Sequence, residues 1–247
     1  MMLVVDIGNT RVKWAQVSDG YFVERGEAIY PKEAVANILE EHWSSVARPR
    51  QVVICNVAGP RIAEAVASWI GRQWGCRVDF VAARPAGWGV TNAYEDFTSL
   101  GADRWAALIG AQRKFLPPLC IVDCGTAITI DGLAAGGQHL GGLILPGLDL
   151  MRRSLARRAE AIPPVSGGKL DLLARNTNDA VAAGTLYAAV TLIDRVVADM
   201  EITLQVAVSC VVCGGDAGLL APHLARRAIV EPDLVLLGTA VMAEAPM

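Results

Sequence analysis

One short pattern occurs twice in the chain and limits the possible folds more than any other feature. The first copy reads LVVDIGNTRVKWAQV (residues 3–17) and the second reads CIVDCGTAITIDGL (residues 120–133). In both copies an apolar run ends in an aspartate and a glycine, and β-branched residues then recur in near alternation. This order is typical of strand, turn and strand. The repetition predicts two similar β-rich domains with helices attached.

The two turns differ from the common phosphate-binding loops. Neither GxxxxGK[ST] nor GxGxxG occurs at these turns, and those loops would run into a helix. A glycine turn can still present backbone N–H groups to phosphate oxygens at close range. A carboxylate beside phosphate needs a cation between them, so we interpret Asp6 as a Mg²⁺ ligand, direct or through water. The expected nucleotide-binding residues of the first turn are Asp6, Ile7, Gly8, Asn9, Thr10, Arg11, Val12 and Lys13.

The alternative for each turn is purely structural. Asp, Gly and Asn favour turns of the Asx type whether or not a ligand binds. One copy alone would favour this alternative. Two copies in equivalent positions favour binding, with one polyphosphate held by two facing hairpins.

The rest of the chain indicates an α/β architecture. Apolar runs at 51–59 and 206–215 are interpreted as buried strands that end in glycine turns. Pro117 and Pro118 stand just before the second copy of the pattern. We therefore predict domains at 1–116 and 117–247. Helical apolar spacing occurs at 31–43, 60–74, 102–115 and 178–200.

Composition excludes several classes of function. Of 247 residues, 53% are hydrophobic and 19% are charged, which argues against disorder. A net charge of −3 gives no reason to expect nucleic acid or anionic lipid as a partner. No apolar run approaches the ~18–20 residues of a membrane span, and no basic region precedes the N-terminal apolar run. A cytoplasmic enzyme that acts on a small molecule is expected.

The six cysteines are expected to be reduced, because no secretory signal is recognised. Cys210 and Cys213 have CxxC spacing, but strand geometry would place their sulfurs on opposite faces. We therefore expect neither a zinc site nor a redox site there. Cys124 is interpreted as a packing residue and not as a nucleophile.

The segment Gly101-Ala102-Asp103-Arg104 opens a predicted helix. Asp103 lies in the first turn, where the helix dipole stabilises an anion, so an ordinary helix-start aspartate is one interpretation. In the other interpretation, Asp103 accepts the proton of an acceptor hydroxyl while the guanidinium of Arg104 binds an anionic group. Residue types alone leave both open.

Five motifs occur along the chain in the order DIGNT, LGADRW, DCGTAITID, GGLILPGLDLM and NTNDAVAAG, and together they give a family resemblance. From Leu3 to about Gly238 it resembles the type III pantothenate kinases, also called Bvg accessory factor homologues, of the acetate and sugar kinase/Hsp70/actin superfamily. The resemblance implies an α/β fold of two duplicated ribonuclease H-like domains with an interdomain cleft. It also implies ATP-dependent phosphorylation of the 4′-hydroxyl of pantothenate, the first step of coenzyme A synthesis.

The same resemblance implies cofactors and an oligomeric state. Mg²⁺ and a monovalent cation, K⁺ or NH₄⁺, are expected, with Asp123 as the ligand of the monovalent cation and Thr126 as an ATP contact. The family is homodimeric, and Thr177 would reach the pantothenate pocket of the other subunit and complete the acceptor site at the interface.

The acceptor motif also receives its roles from the resemblance. Asp103 would be the general base, and Phe97 departs from the family pattern because proline is frequent at that position. The expected pantothenate contacts are Tyr94, Gly101, Ala102, Asp103, Arg104 and Thr177.

Two other functions stay open at this point. A nucleotide-dependent binding or regulatory protein can share this scaffold, although the chain has no room for the added subdomains of such proteins. Another small-molecule kinase or a phosphatase is also compatible. Among the remaining segments, 151–160 is interpreted as a solvated basic helix face, and 141–147 as a hinge or a pocket wall. Gly214 and Gly215 are weak candidates for an adenosine contact.

Overall fold

Each copy of the repeated pattern forms an antiparallel hairpin inside a five-stranded sheet of its own. The computed structural model describes residues 1–31 and 34–244. They divide into two compact units, one of Met1–Phe115 with the stretch from Asp233 onward, and one of Leu116–Pro232.

The first sheet has the strand order β3-β2-β1-β4-β5. The pairs β1–β2 and β2–β3 are antiparallel, whereas β1–β4 and β4–β5 are parallel. A further short hairpin joins β6 to β7. The strands are β1 (Met2–Ile7), β2 (Arg11–Ser18), β3 (Tyr21–Ile29), β4 (Gln51–Asn56), β5 (Arg77–Phe80), β6 (Ala86–Gly87) and β7 (Val90–Thr91).

The first unit carries three helices before its boundary: α1 (Val35–Trp43), α2 (Pro60–Gln73) and α3 (Ala102–Lys114). Four tryptophans from β2, α1 and α2 meet in its core, with ring centroids 5.0–6.0 Å apart in edge-on and stacked pairs. Such pairs add to the stabilisation from apolar burial. The four are Trp14, Trp43, Trp69 and Trp74.

The second sheet repeats the order of the first, as β10-β9-β8-β11-β12. This repetition confirms the predicted duplication of an α/β unit. The run at 141–147, interpreted from sequence as a hinge or pocket wall, lies within edge strand β10 and continues to the residue before α4. The elements are β8 (Leu119–Cys124), β9 (Ala127–Leu133), β10 (His139–Pro146), α4 (Leu148–Arg158), α5 (Thr177–Leu204), β11 (Ser209–Cys213), α6 (Ala217–Leu220) and β12 (Ile229–Val230).

The long helix α5 is the one described helix that is long and apolar enough to cross a membrane by length and composition. Half of its most apolar 18-residue window is buried. Its apolar residues belong to the core of the second unit, with Leu186, Ile193 and Val197 packed against β8 and β11 residues. The core helix of a soluble protein meets the same criterion, so we interpret α5 as a core helix.

The last helix, α7 (Leu234–Glu244), belongs to the first unit. The predicted domain of 117–247 placed it in the second, and this is corrected. Leu236 and Ala240 of α7 cover the face of β1 that carries Val4, while Leu3 and Val5 face the opposite core. Because both faces of β1 are covered, the strand is apolar from Met2 to Val5 and again at Ile7.

The contact between α3 and α7 depends on small residues. A methyl group added at Gly238 would overlap the carbonyl oxygen of Ala106, and one added at Gly110 would overlap that of Leu234. The backbones of α3 and α7 are therefore in direct contact where the two helices cross. The helix that begins with the acceptor motif is held by the last helix of the chain.

Candidate active site

The first turn joins β1 to β2. The amide of Gly8 donates to the carbonyl of Arg11 at 3.0 Å, and Asn9 and Thr10 are exposed at the tip. Asp6 pairs in register with Lys13, so the two side chains share one face of the hairpin, and both are half-buried.

Not all of the predicted nucleotide-binding residues can contribute a side chain. Ile7 and Val12 are at most 1% exposed and lie in the core of the first unit. Their contribution to a bound nucleotide is therefore limited to backbone atoms.

Tyr30 was missed by sequence reasoning. Its hydroxyl donates to the carbonyl of Gly8 at 2.7 Å, and its amide donates to the carbonyl of Thr10 at 3.2 Å. Burial, and then the charge of Asp6, raise the pKa of its phenol to about 12. A single tyrosine after an exposed edge strand carries no pattern from which this role could be found.

The second turn joins β8 to β9. The amide of Gly125 donates to the carbonyl of Ala127 at 3.1 Å, and the amide of Gly147 donates to the carbonyl of Thr126 at 2.9 Å. The second bond fixes the start of α4 against the turn. Thr126 is exposed, whereas Asp123 is half-buried at the end of β8.

Gly214 lies directly against Asp123. Its φ of +87° favours glycine, and an added methyl group would overlap a carboxylate oxygen of Asp123 and backbone atoms of Cys124. The structure therefore places Gly214 beside the candidate cation ligand. Burial, and then the charge of Asp123, raise the pKa of the Cys124 thiol well above its ordinary value, which supports a packing role.

The acceptor motif brings three predicted residues together at the start of α3. Arg104 is 5% exposed, and its Nη1 donates to the hydroxyl of Tyr94 at 2.6 Å. Asp103 lies in the first turn of α3 and accepts from the amide of Arg104 at 2.8 Å. A methyl group on Gly101 would approach Oδ1 of Asp103 to 2.5 Å, so glycine leaves the room that this carboxylate occupies.

The loop before α3 is ordered by local hydrogen bonds. Phe97 begins a one-turn 3₁₀ helix, Phe97–Ser99. The side chain and backbone of Thr98 donate to Asp96 at 2.6 and 3.0 Å, and these bonds hold the pKa of Asp96 below its ordinary value. The departure from proline at position 97 therefore leaves a defined path into Leu100 and the acceptor motif.

Thr177 is the first residue of α5 and lines a cavity of about 900 Å³. The helix is capped by Asn176, whose side chain accepts from the amide of Asp179 at 2.9 Å. Thr177 therefore does not cap this helix. Residues of α4 and α5 supply most of the cavity wall, including Met151, Leu155, Val181 and Gly184.

The basic stretch 151–160 is only partly a solvated face. Arg153 is exposed and pairs with Asp149 at 2.8 Å. Arg152, in contrast, is 8% exposed, and its Nε donates to the hydroxyl of Thr185 at 3.1 Å. The interpretation of a fully solvated face is wrong for Arg152, because this position of α4 faces α5.

The two turns offer oxygen donors to the expected cations. None of the six cysteines forms a disulfide, and among the described residues no group of three or more His, Cys, Asp and Glu side chains could hold a metal by itself. Mg²⁺ commonly binds one or two carboxylates, with phosphate and water completing its shell, and Asp6 fits that pattern. Asp123 and the carbonyls of its turn are hard oxygen donors of the kind an alkali cation takes.

Two solved structures share the fold of this chain. A Campylobacter jejuni protein assigned to the Baf family of transcriptional activators has a TM-score of 0.63 at 22% identity, with 99% of this chain and 98% of that chain covered. A Sinorhizobium meliloti protein assigned as a 2-dehydro-3-deoxygalactonokinase has a TM-score of 0.63 at 16% identity, with 100% of both chains covered. At these identities the likeness concerns the fold alone.

The family is shown by sequence. A family model for type III pantothenate kinase matches residues 2–199. The type III pantothenate kinase of Nitrosococcus oceani is 40% identical, covering 99% of this chain and 94% of that protein. The type III pantothenate kinase of Janthinobacterium sp. (strain Marseille) is 38% identical, covering 98% of this chain and 97% of that protein. The chain belongs to the type III pantothenate kinase family, and the resemblance predicted from its motifs is confirmed.

Proposed function

We propose that this chain phosphorylates the 4′-hydroxyl of pantothenate with ATP, the reaction that begins coenzyme A synthesis. The observation that carries the proposal is the meeting of Asp103, Arg104 and Tyr94 at the start of α3, in a chain of this family.

Arg104 is the anchor for the acceptor. Its guanidinium is nearly buried and its orientation is fixed by the Tyr94 hydroxyl. A planar guanidinium suits a carboxylate, and pantothenate carries one. Binding at that end orients the rest of the molecule, and orientation supplies much of the catalysis in phosphoryl transfer.

Asp103 is the general base in this proposal. Its carboxylate accepts the proton of the 4′-hydroxyl as that oxygen attacks the γ-phosphorus and the bond from that phosphorus to the bridging oxygen of ADP breaks. Oδ1 of Asp103 also accepts from the amide of Arg104, which fixes the direction of the carboxylate. Proton transfer gives modest help here, since alignment and charge neutralisation dominate such reactions.

The nucleotide is assigned to the two turns. Residues 6–13 supply backbone donors and the Lys13 ammonium, and Thr126 supplies a hydroxyl. Asp6 would hold Mg²⁺, directly or through water, and Asp123 a monovalent cation, K⁺ or NH₄⁺. These ions would neutralise phosphate charge when bound.

The acceptor site is proposed to be completed in a homodimer through Thr177. Thr177 is exposed at the rim of the cavity that α4 and α5 line. Large apolar side chains of β10, α4 and α5 are also exposed, namely Ile144 at 65%, Leu150 at 44% and Tyr187 at 40%. Such a surface suits a protein partner, which is a second copy of the chain in this proposal. Six cysteines without a disulfide are compatible with a cytoplasmic location.

Coupled measurement of ADP release tests the activity. Pantothenate is compared with a panel of sugars, each with and without K⁺, and the phosphorylated position is identified by NMR. We expect turnover with pantothenate to exceed that with every sugar. Faster turnover of a sugar, or a product phosphorylated elsewhere, would contradict the proposal.

The monovalent cation has its own prediction. Asp123→Asn is expected to remove the K⁺ stimulation of turnover, because an amide no longer supplies the negative charge that holds the cation. Rates are measured over a K⁺ titration. Asp216→Asn is the matched control, since Asp216 also acts on Cys124 through its charge and is not assigned to the cation. Stimulation retained in Asp123→Asn would exclude it as the ligand.

Thr177→Ala is expected to raise the KM for pantothenate about fivefold, the effect of losing one neutral hydrogen bond. The KM for ATP should stay unchanged. Thr203→Ala is the control, because Thr203 lies on the same helix and its hydroxyl donates to the carbonyl of Asp199 in that helix. An unchanged KM for pantothenate would count against the role of Thr177.

A further inference from the structure

Tyr30 holds the first turn at two points. Its hydroxyl bonds to the carbonyl of Gly8 and its amide bonds to the carbonyl of Thr10. The side chain is 3% exposed and belongs to the core cluster of the first unit. A rigid ring anchored in the core therefore fixes the residues on both sides of Asn9.

Peptide geometry gives this contact a consequence for the tip of the turn. In a planar trans peptide the carbonyl and the following N–H point in opposite directions. The Gly8 carbonyl points to Tyr30, so the N–H of Asn9 faces away from Tyr30. Since the amide of Gly8 bonds to Arg11 within the turn, the Asn9 N–H is the next backbone donor along the tip.

The phenol is suited to act as a permanent donor. It lies 2.7 Å from the carbonyl oxygen of Gly8, and the side chain is only 3% exposed, so water competes little for this bond.

We infer that Tyr30 is a positioning residue for nucleotide binding, which orients the Gly8–Asn9 peptide so that the Asn9 N–H meets a phosphate oxygen of ATP. This inference rests on the proposed function, in which residues 6–13 bind ATP. If Tyr30 had a purely structural role, its substitution would lower stability and would change the KM values for ATP and pantothenate to the same extent. The positioning role predicts that the KM for ATP changes and the KM for pantothenate does not.

The test compares Tyr30→Phe with Tyr21→Phe. The first removes only the hydroxyl that bonds to Gly8, and the second removes a hydroxyl from a residue on β3 that is 76% exposed. Steady-state KM values for ATP and pantothenate are measured, together with calorimetric binding of a non-hydrolysable ATP analogue in Mg²⁺ and thermal unfolding without ligand.

In Tyr30→Phe we expect the KM for ATP and the Kd of the analogue to rise about 5–10-fold, as for loss of one buried hydrogen bond. The KM for pantothenate should stay within about twofold. Tyr21→Phe should match the wild type. Unchanged analogue binding in Tyr30→Phe, or equal changes in both KM values, would overturn the positioning role. A wild-type chain that binds no analogue would overturn the proposed function as well, so the two failures are distinguishable.

Discussion

Replacing Asp103 with asparagine is expected to lower kcat for pantothenate phosphorylation by about 10²–10⁴-fold, the usual contribution of a general base. The amide cannot accept the hydroxyl proton. It does keep an oxygen for the amide of Arg104, the bond that the carboxylate makes now. Local geometry should therefore survive, and binding of an ATP analogue should change little. Steady-state kinetics and calorimetry together measure the effect.

The ordinary interpretation of Asp103 is a helix-start carboxylate, and a matched control separates the two roles. Asp149 lies in the first turn of α4 and is exposed, so Asp149→Asn removes the same charge from a helix start without touching the acceptor motif. If Asp103→Asn lowered stability like Asp149→Asn and retained normal turnover, Asp103 would be a helix-start residue and not the base.

Among the proposed substitutions, Gly238→Ala is expected to lower the free energy of unfolding the most. The new methyl group would overlap the carbonyl oxygen of Ala106, and a backbone atom inside a helix cannot move aside cheaply. Overpacking of this kind costs about 1–3 kcal/mol or more, which corresponds to a fall in Tm of about 3–10 °C for a chain of this size. Thermal unfolding followed by circular dichroism measures it.

Gly71→Ala is the control for Gly238→Ala. Gly71 lies within α2, and an added methyl group there would meet nothing within 4 Å. Alanine at such a site should stabilise the helix by about 0.5–1 kcal/mol. Similar Tm values for both variants would mean that α3 and α7 do not pack as closely as their backbones indicate.

The hairpins and the acceptor motif could be predicted because their signals are local. The alternation of apolar residues along 3–17 and 120–133 predicts a strand, a turn and a second strand from neighbouring residues alone, so no distant contact has to be known. The residues of the segment Gly101–Arg104 are likewise consecutive, so a short motif is enough to predict the helix start and the candidate acceptor residues. Family membership then followed from the order of such motifs.

The contacts that sequence reasoning missed join distant positions. Helix α7 is apolar almost all round, so nothing in its pattern indicates which unit it covers. Arg152 looks like its exposed neighbours in a basic run, and only the packing of α4 on α5 distinguishes it. The hydroxyl of Tyr30 bonds to the carbonyl of Gly8, which lies 22 residues earlier in the chain.

The position of α7 has a consequence for how the protein is made. Residues 1–115 leave the ribosome well before Leu234 is synthesised. Until α7 is made, the face of the first sheet that carries Val4, Ala15 and Val17 therefore stays uncovered. Domains commonly complete folding in order of synthesis, and here the earliest one depends on the latest helix. Nascent chains halted before that helix should therefore be held by chaperones or degraded.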